Sequence, residues 1–191
     1  MTEIVGILLA AGASRRFGGP KLLHPLADGV PIGVAAARTL RQALPNSVAV
    51  VQPDDQVLIT AFAAIGLKIV ENPFADGGLG MSLAAGVRAV PEAAGWLIAL
   101  ADMPWVEPAT IVMLAESLRN GASMVAPSYA GCRGHPVGFA RRWGEQLGSL
   151  RGDKGARDLI ADYAGELILH STLDAGVLAD IDHPGDLIRS S

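Results

Sequence analysis

The chain has 191 residues, half of them hydrophobic, with a formal net charge of −4. That length supports one full-sized core, the apolar content excludes disorder, and the acidic balance argues against a broad nucleic-acid-binding surface, although a local group of cations can still hold a small anion. The single cysteine, Cys132, permits neither an intrachain disulfide nor a zinc site, no apolar run approaches a membrane span, and the start "MTEIVGILLAAG" lacks a basic n-region, so a cytoplasmic protein without a signal peptide is expected.

In chain order, residues 3–10 (EIVGILLA) read as a buried strand. A long loop follows. Residues 31–44 have helical spacing with Pro31 near the first turn. Residues 47–52 read as a strand, 55–65 as a helix ended by Gly66, and 67–71 as a strand. Residues 80–90 form the next expected helix, 95–101 a strand, 107–120 a helix with Gly121 just past its end, and 123–127 a strand. This alternation predicts a mainly parallel sheet covered on both faces. After Pro127 the rhythm weakens: a short strand is expected over 134–140, a helix over 153–163, and short peripheral strands over 166–170 and 178–182. With no repeat and no linker-like stretch, the expectation is a single α/β domain over 1–191, a Rossmann-like three-layer sandwich.

The loop after the first strand, within "ILLAAGASRRFGGPKLL", carries Arg15, Arg16 and Lys21 among Gly12, Gly18 and Gly19. In an open parallel sheet, ligands sit beyond the carboxyl ends of the strands. Glycines let a backbone approach a ligand closely, and exposed N–H groups with Arg and Lys make an anion cradle. A phosphate chain is the expected anion. The loop contains no G-x-G-x-x-G, and its lysine is not followed by Ser or Thr as in a P-loop.

"LAAGASRRFGGPK" resembles the L-A-[AG]-G-x-S-x-R-M-G-x-x-K signature of the MobA-like nucleotidyltransferases. Leu9, Ala10, Gly12, Ser14, Arg16, Gly18 and Lys21 match, and Phe17 stands where methionine is usual. The resemblance implies a nucleotide-diphospho-sugar transferase-like fold. It also implies a loop that holds a triphosphate, with Arg16 and Lys21 neutralising charge as pyrophosphate departs.

Other segments fit the same pattern. "LIALADMP" places Asp102 just beyond a strand, where a carboxylate can hold Mg²⁺ or cap a turn; the resemblance makes it the metal ligand. In "GGLGMSLAAGV", Ser82 reads as a helix cap or a nucleotide contact, and the resemblance sets Gly80 and Ser82 beside base and sugar. "NPF", residues 72–74, is expected to shape the same pocket. "RGHPVGF" and "RGDKGARDLI" resemble the G-H-P-V and G-D-x-G-A-R of the cytidylyltransferase branch related to MocA, which implies that His135, Lys154 and Arg157 face an anionic acceptor. "DIDHPGDL" resembles that branch's D-I-D-T-P-x-D-L tail, with His183 in place of threonine, and leaves Asp182 as either a second metal contact or a cap through the Pro184 turn.

The guanylyl members of the family tend to read L-A-G-G, whereas this chain has Ala11 before Gly12, as the CTP-using branch does. A methyl there narrows the room beside a base, a difference worth about 1–3 kcal/mol. The resemblance therefore implies CMP transfer from CTP, with Mg²⁺, to a phosphate monoester, by resemblance a molybdenum-carrying molybdopterin. As partners it implies these small molecules and a recipient molybdoenzyme, with no nucleic acid and no membrane, in a monomer or weak homo-oligomer. Three competing readings are a non-catalytic accessory protein that binds and delivers the finished cofactor, a guanylyl or other NTP transferase, and a nicotinamide-dependent oxidoreductase. Retention of Asp102 argues against the first, and the missing G-x-G-x-x-G against the last.

Overall fold

The structure, a computed structural model, describes residues 3–12 and 17–188. Its first strand, β1 (Ile4–Leu9), is apolar at nearly every position and buried along its whole length, as a strand covered on both faces must be. It pairs in parallel with β2 (Val48–Val51) on one side and β4 (Gly95–Leu100) on the other, and β2 pairs in parallel with β3 (Lys68–Glu71). The order β3-β2-β1-β4 therefore reverses direction at β1, and the carboxyl ends of β1, β2 and β4 open on one edge of the sheet. In such sheets this is the crevice where ligands bind.

The connecting helices are set by local signals. α1 (Ile32–Ala43) follows Pro31. α2 (Gln56–Ile65) starts where the Asp55 carboxylate accepts from the Leu58 N–H at 3.1 Å, and it stops at Gly66, whose φ of +91° suits a residue without Cβ. α3 (Leu79–Ala89) follows Gly78, and α4 (Pro108–Arg119) carries Pro108 in its first turn. One core layer, with Phe62, Leu40 and Leu114, packs α1, α2 and α4 on one face of the sheet. A second, with Trp96, Phe139 and Leu83, packs the other face, where α3 lies close enough that a Cβ at Gly86 would press on Ile7 and Val50. Losing one such fully buried large side chain costs about 2–5 kcal/mol.

Beyond Pro127 the chain departs from simple alternation. β5 (Met124–Tyr129) does not lie next to β4. The hairpin partner β6 (Cys132–Arg133) leads into β7 (Val137–Ala140), which inserts antiparallel between β4 and β5. After the short α5 (Gly144–Gly148) and α6 (Arg157–Asp162), β8 (Leu167–Ser171) adds in parallel to the far side of β5. Among the described residues the sheet has eight strands and is mostly parallel.

Two expectations change here. The helix expected over 153–163 is confined to Arg157–Asp162, because Gly152 and Gly155 take positive φ and the preceding residues form a loop. The strand expected over 178–182 is absent. That segment leaves a 3-10 turn and runs irregularly across the cleft edge, its alternating pattern reflecting Ile181, which is fully buried, between the side chains of Asp180 and Asp182.

Candidate active site

At the carboxyl edge of β1 the chain reaches Ala11 and Gly12, which line a cleft of about 460 Å³ together with Leu9, Phe17, Gln52, Gly78, Ser82, Asp102, Asp153 and Asp182. The Ala11 carbonyl accepts from the Gln52 side-chain amide at 2.9 Å, so the loop after β1 is tied to the end of β2. Ala10, included with its neighbours in the sequence expectation, is buried in the core, and its N–H donates to the Val50 carbonyl at 2.9 Å. Ser14 and Arg16 lie outside the described residues.

Lys21 opens a short 3-10 turn, Lys21–Leu23. Leu22 is buried against Gly33 of α1, and the His24 N–H donates to the Lys21 carbonyl at 3.0 Å. The turn is thereby fixed, and the lysine, only 8% exposed, extends to the carboxylates: its Nζ is 2.8 Å from Asp102 Oδ2 and 3.8 Å from Asp182 Oδ1. Three residues that lie 161 positions apart at the extremes are thus brought together, a buried lysine against two carboxylates that line the cleft.

Asp102 stands two residues past β4, and its carbonyl accepts from the Ile181 N–H at 3.0 Å. Asp186 Oδ2 accepts from the N–H groups of Asp182 and His183 at 2.9 and 2.8 Å, which fixes the backbone at Asp182 just before the final turn. Asp180 completes an acidic group: partial burial pushes its carboxyl above the ordinary range against a bond from its own backbone, and the charges of Asp182 and Asp102 push the same way.

The strap carrying Asp182 is anchored upstream by Asp174. This buried carboxylate accepts from the Glu107 N–H at 2.9 Å and the Thr110 hydroxyl at 2.7 Å, so it caps α4 from a distance, and it also accepts from the Gly176 N–H at 2.9 Å. A Cβ at Gly176 would overlap the Trp105 carbonyl. The Val177 carbonyl accepts from the His135 N–H at 2.9 Å. The loop from Asp102 to Glu107 is therefore held by the strap at both ends.

The far wall is built from α3 and the loop before α6. Gly80 does not line the cleft; its N–H donates to the Gly152 carbonyl at 2.8 Å, and a Cβ there would sit 2.8 Å from the Arg151 carbonyl oxygen. Ser82 is not a helix cap. It faces the cleft and accepts from the Asn72 amide at 3.1 Å, while Asn72 Oδ1 accepts from the Phe74 N–H, so the "NPF" segment does shape this wall.

A second hollow of about 130 Å³ adjoins the cleft through Leu9, Leu79 and Asp153 and brings together Arg133, His135, Lys154 and Arg157 over an apolar floor that includes Leu83 and Phe139. His135, Lys154 and Arg157 meet here although 22 residues separate the first from the last. Burial holds the His135 imidazole below its ordinary 6.5, with the nearby Arg133 charge acting in the same direction and Asp102 opposing both. His135 Nδ1 is buried and has no protein partner among the described residues. Lys154 pairs with Asp158 one helical turn on, at 2.9 Å.

Sequence reasoning missed Gln52, Asp76, Gly78 and Asp153 as cleft residues. Gln52 carried one readable signal, its place at the carboxyl end of the strand beside β1. Among the described residues, no group of three or more His, Cys, Asp or Glu stands ready to hold a metal unaided.

Residues 6–167 match the MobA-like NTP transferase domain. The purine catabolism protein PucB of Bacillus subtilis (strain 168) is 31% identical, the match covering 97% of this chain and 96% of that protein. Nicotine blue oxidoreductase of Paenarthrobacter nicotinovorans is 29% identical over 97% and 95%. Two solved structures of Rv0371c from Mycobacterium tuberculosis H37Rv, one a complex with manganese, are each 29% identical, covering 98% of this chain and 97% of that one, with TM-scores of 0.84 and 0.80.

Proposed function

This chain belongs to the MobA-like NTP transferase family, and from that premise we propose that it transfers CMP from CTP to a phosphate-monoester acceptor, a molybdenum-carrying molybdopterin, releasing pyrophosphate. The observation that carries this reading is the convergence of Lys21, Asp102 and Asp182 at the mouth of a Gly-rich loop, on the carboxyl edge of the sheet.

The donor set fits a hard divalent cation. Two carboxylates already face one cationic position, and Mg²⁺ characteristically takes one or two carboxylates, with phosphate oxygens and waters completing its shell. Asp102 and Asp182 would hold it; bound there, it supplies positive charge to the phosphate oxygens of the nucleotide. The manganese complex of Rv0371c supports a divalent ion in this fold.

The residues of the chain divide the remaining work. Lys21, with Arg16, binds the triphosphate and offsets the charge that builds on the leaving pyrophosphate. Ala11 and Gly12 back the base and Ser82 the sugar, with the Ala11 methyl favouring a pyrimidine. Arg133, His135, Lys154 and Arg157 hold the anionic acceptor so that its phosphate oxygen meets the α-phosphorus. The acceptor oxygen is ionised near neutral pH, so no strong general base is needed, which suits a site that shows no Ser–His–Asp arrangement among the described residues.

The test is incubation of the protein with each NTP in turn, Mg²⁺ and molybdopterin, following pyrophosphate. Release that depends on the acceptor and is fastest with CTP is expected. Release with another NTP in preference overturns the nucleotide assignment; no pyrophosphate with any NTP, together with acceptor-dependent consumption of a reduced nicotinamide in a parallel incubation that supplies one, overturns the reaction class.

A further inference from the structure

Gln52 follows β2 directly, and its backbone is fixed. Val51 before it pairs with Glu71 of β3, and the Gln52 carbonyl accepts from the Asp55 N–H at 3.1 Å where α2 begins. The half-buried side chain turns toward the loop after β1, where Nε2 donates to the Ala11 carbonyl at 2.9 Å. That bond sets the orientation of the amide. A carbonyl oxygen can only accept, so the NH₂ end must face Ala11. The Oε1 end takes no hydrogen bond from any described residue, and the side chain lines the cleft with Ala11 and Gly12. The cleft is therefore offered a hydrogen-bond acceptor beside the position that the proposed function gives to the base. Turning the amide over would set Oε1 against the Ala11 carbonyl, two acceptors with no proton between them.

Resting on the proposed nucleotide transfer, we infer that Gln52 is the residue that tells cytosine from uracil, its Oε1 accepting from the 4-amino group of the base. The two pyrimidines have nearly the same shape and differ at one edge. Cytosine carries an amino donor at position 4, and uracil carries a carbonyl acceptor there. Against Oε1 the first completes a hydrogen bond. The second brings two acceptors face to face, and the amide cannot turn over to relieve this without losing its bond to Ala11. Adenine also bears an amino donor, so Gln52 alone does not reject ATP. The Ala11 methyl does that part by narrowing the room for a purine. The two bonded neighbours thus divide the choice: Ala11 selects the size of the ring, and Gln52 selects the group it carries.

The test is nucleotide binding by the full chain with Mg²⁺ and no acceptor, measured by titration calorimetry, with circular dichroism melts to confirm folding. The ligands are CTP, UTP and the CTP analogue that lacks only the 4-amino group. The natural protein should bind CTP about tenfold more tightly than either of the others, the size of one lost hydrogen bond. Gln52→Met keeps the length of the side chain and removes both polar ends. In that variant the three ligands should bind within about twofold of one another, because the amino group has lost its partner and its removal no longer matters. Gln52→Lys, the second variant should the methionine form fail to fold or bind, can donate to Ala11 and to the base and should favour UTP over CTP. Equal or tighter binding of UTP by the natural protein, or a preference for CTP that persists in folded Gln52→Met or Gln52→Lys, overturns the role of Gln52 while leaving nucleotide transfer standing. Failure of the natural protein to bind any of the three ligands overturns both.

Discussion

Leu9, Ala11, Gly12, Gln52 and Asp102 reach the cleft because they end parallel strands that lie side by side. Asp182 reaches the same cleft on a segment with no strand at all, 80 residues beyond Asp102 and held by hydrogen bonds to the Asp102 and Glu107 backbone. The first region is positioned by the sheet, the second by a few long-range polar contacts. A strand end is held by several ladder bonds and a packed face, so it moves little when one group is lost. The strap depends on Asp174, Gly176 and Ile181, and loss of one of them displaces everything beyond it.

The largest expected effect comes from the strand side. Asp102→Asn keeps the shape and removes the charge that faces Lys21. Turnover should fall about 10²–10³-fold, which corresponds to roughly 3–4 kcal/mol at the transition state, while Tm shifts by only a few degrees because Asp182 remains near the lysine. Superimposable Mg²⁺ titrations of mutant and natural protein would remove Asp102 from the metal site.

A substitution in the strap sharpens the contrast. Gly176→Ala introduces a methyl where the Trp105 carbonyl stands, and overpacking of this kind costs about 1–3 kcal/mol. Because the strap carries Asp182, the Mg²⁺ concentration for half-maximal activity should rise about tenfold below the melting transition, a displacement effect of the size expected from misplaced ligands. A stability loss with an unchanged Mg²⁺ requirement would show that Asp182 is placed by something other than the strap.

A smaller effect is expected at Ala11. The methyl lines the cleft, and Ala11→Gly should narrow the preference for CTP over GTP, measured as kcat/KM with one acceptor, without reversing it. The greater loop freedom costs about 0.5–1 kcal/mol. An unchanged ratio would remove Ala11 as the cause of the preference.

The smallest effect is a pH dependence. The folded protein holds the His135 imidazole below 6.5, so below that pH the unfolded chain binds a proton that the folded chain resists. Stability should therefore decline as pH falls from about 6.5 through the lowered folded value and level off below it. His135→Gln should remove that part of the slope in denaturant titrations run between pH 7 and 5. An identical slope would place the titration elsewhere.

The alternation up to β5 was legible because each element there carries its own signal, such as Asp55 and Gly66 around α2 or the unbroken apolar run of β1. The insertion of β7 between β4 and β5 was not, since short strands pair by long-range register that no local pattern encodes. The 178–182 segment shows the same limit. Its alternation mimics a strand, but Asp182 is turned toward Lys21 rather than toward solvent on a sheet. Residues that match a family signature, Lys21 and Asp102 above all, stood out in the sequence, whereas Gln52 and Asp153 join the cleft only through tertiary proximity.

The most direct test of the account follows phosphorus. With CTP labelled at the α-phosphate or at the γ-phosphate, Mg²⁺ and molybdopterin, the account predicts that α-label appears covalently in the acceptor product while γ-label leaves as pyrophosphate, in equal amounts. Release of γ-label as orthophosphate, or an acceptor that stays unlabelled while it is consumed, would contradict it.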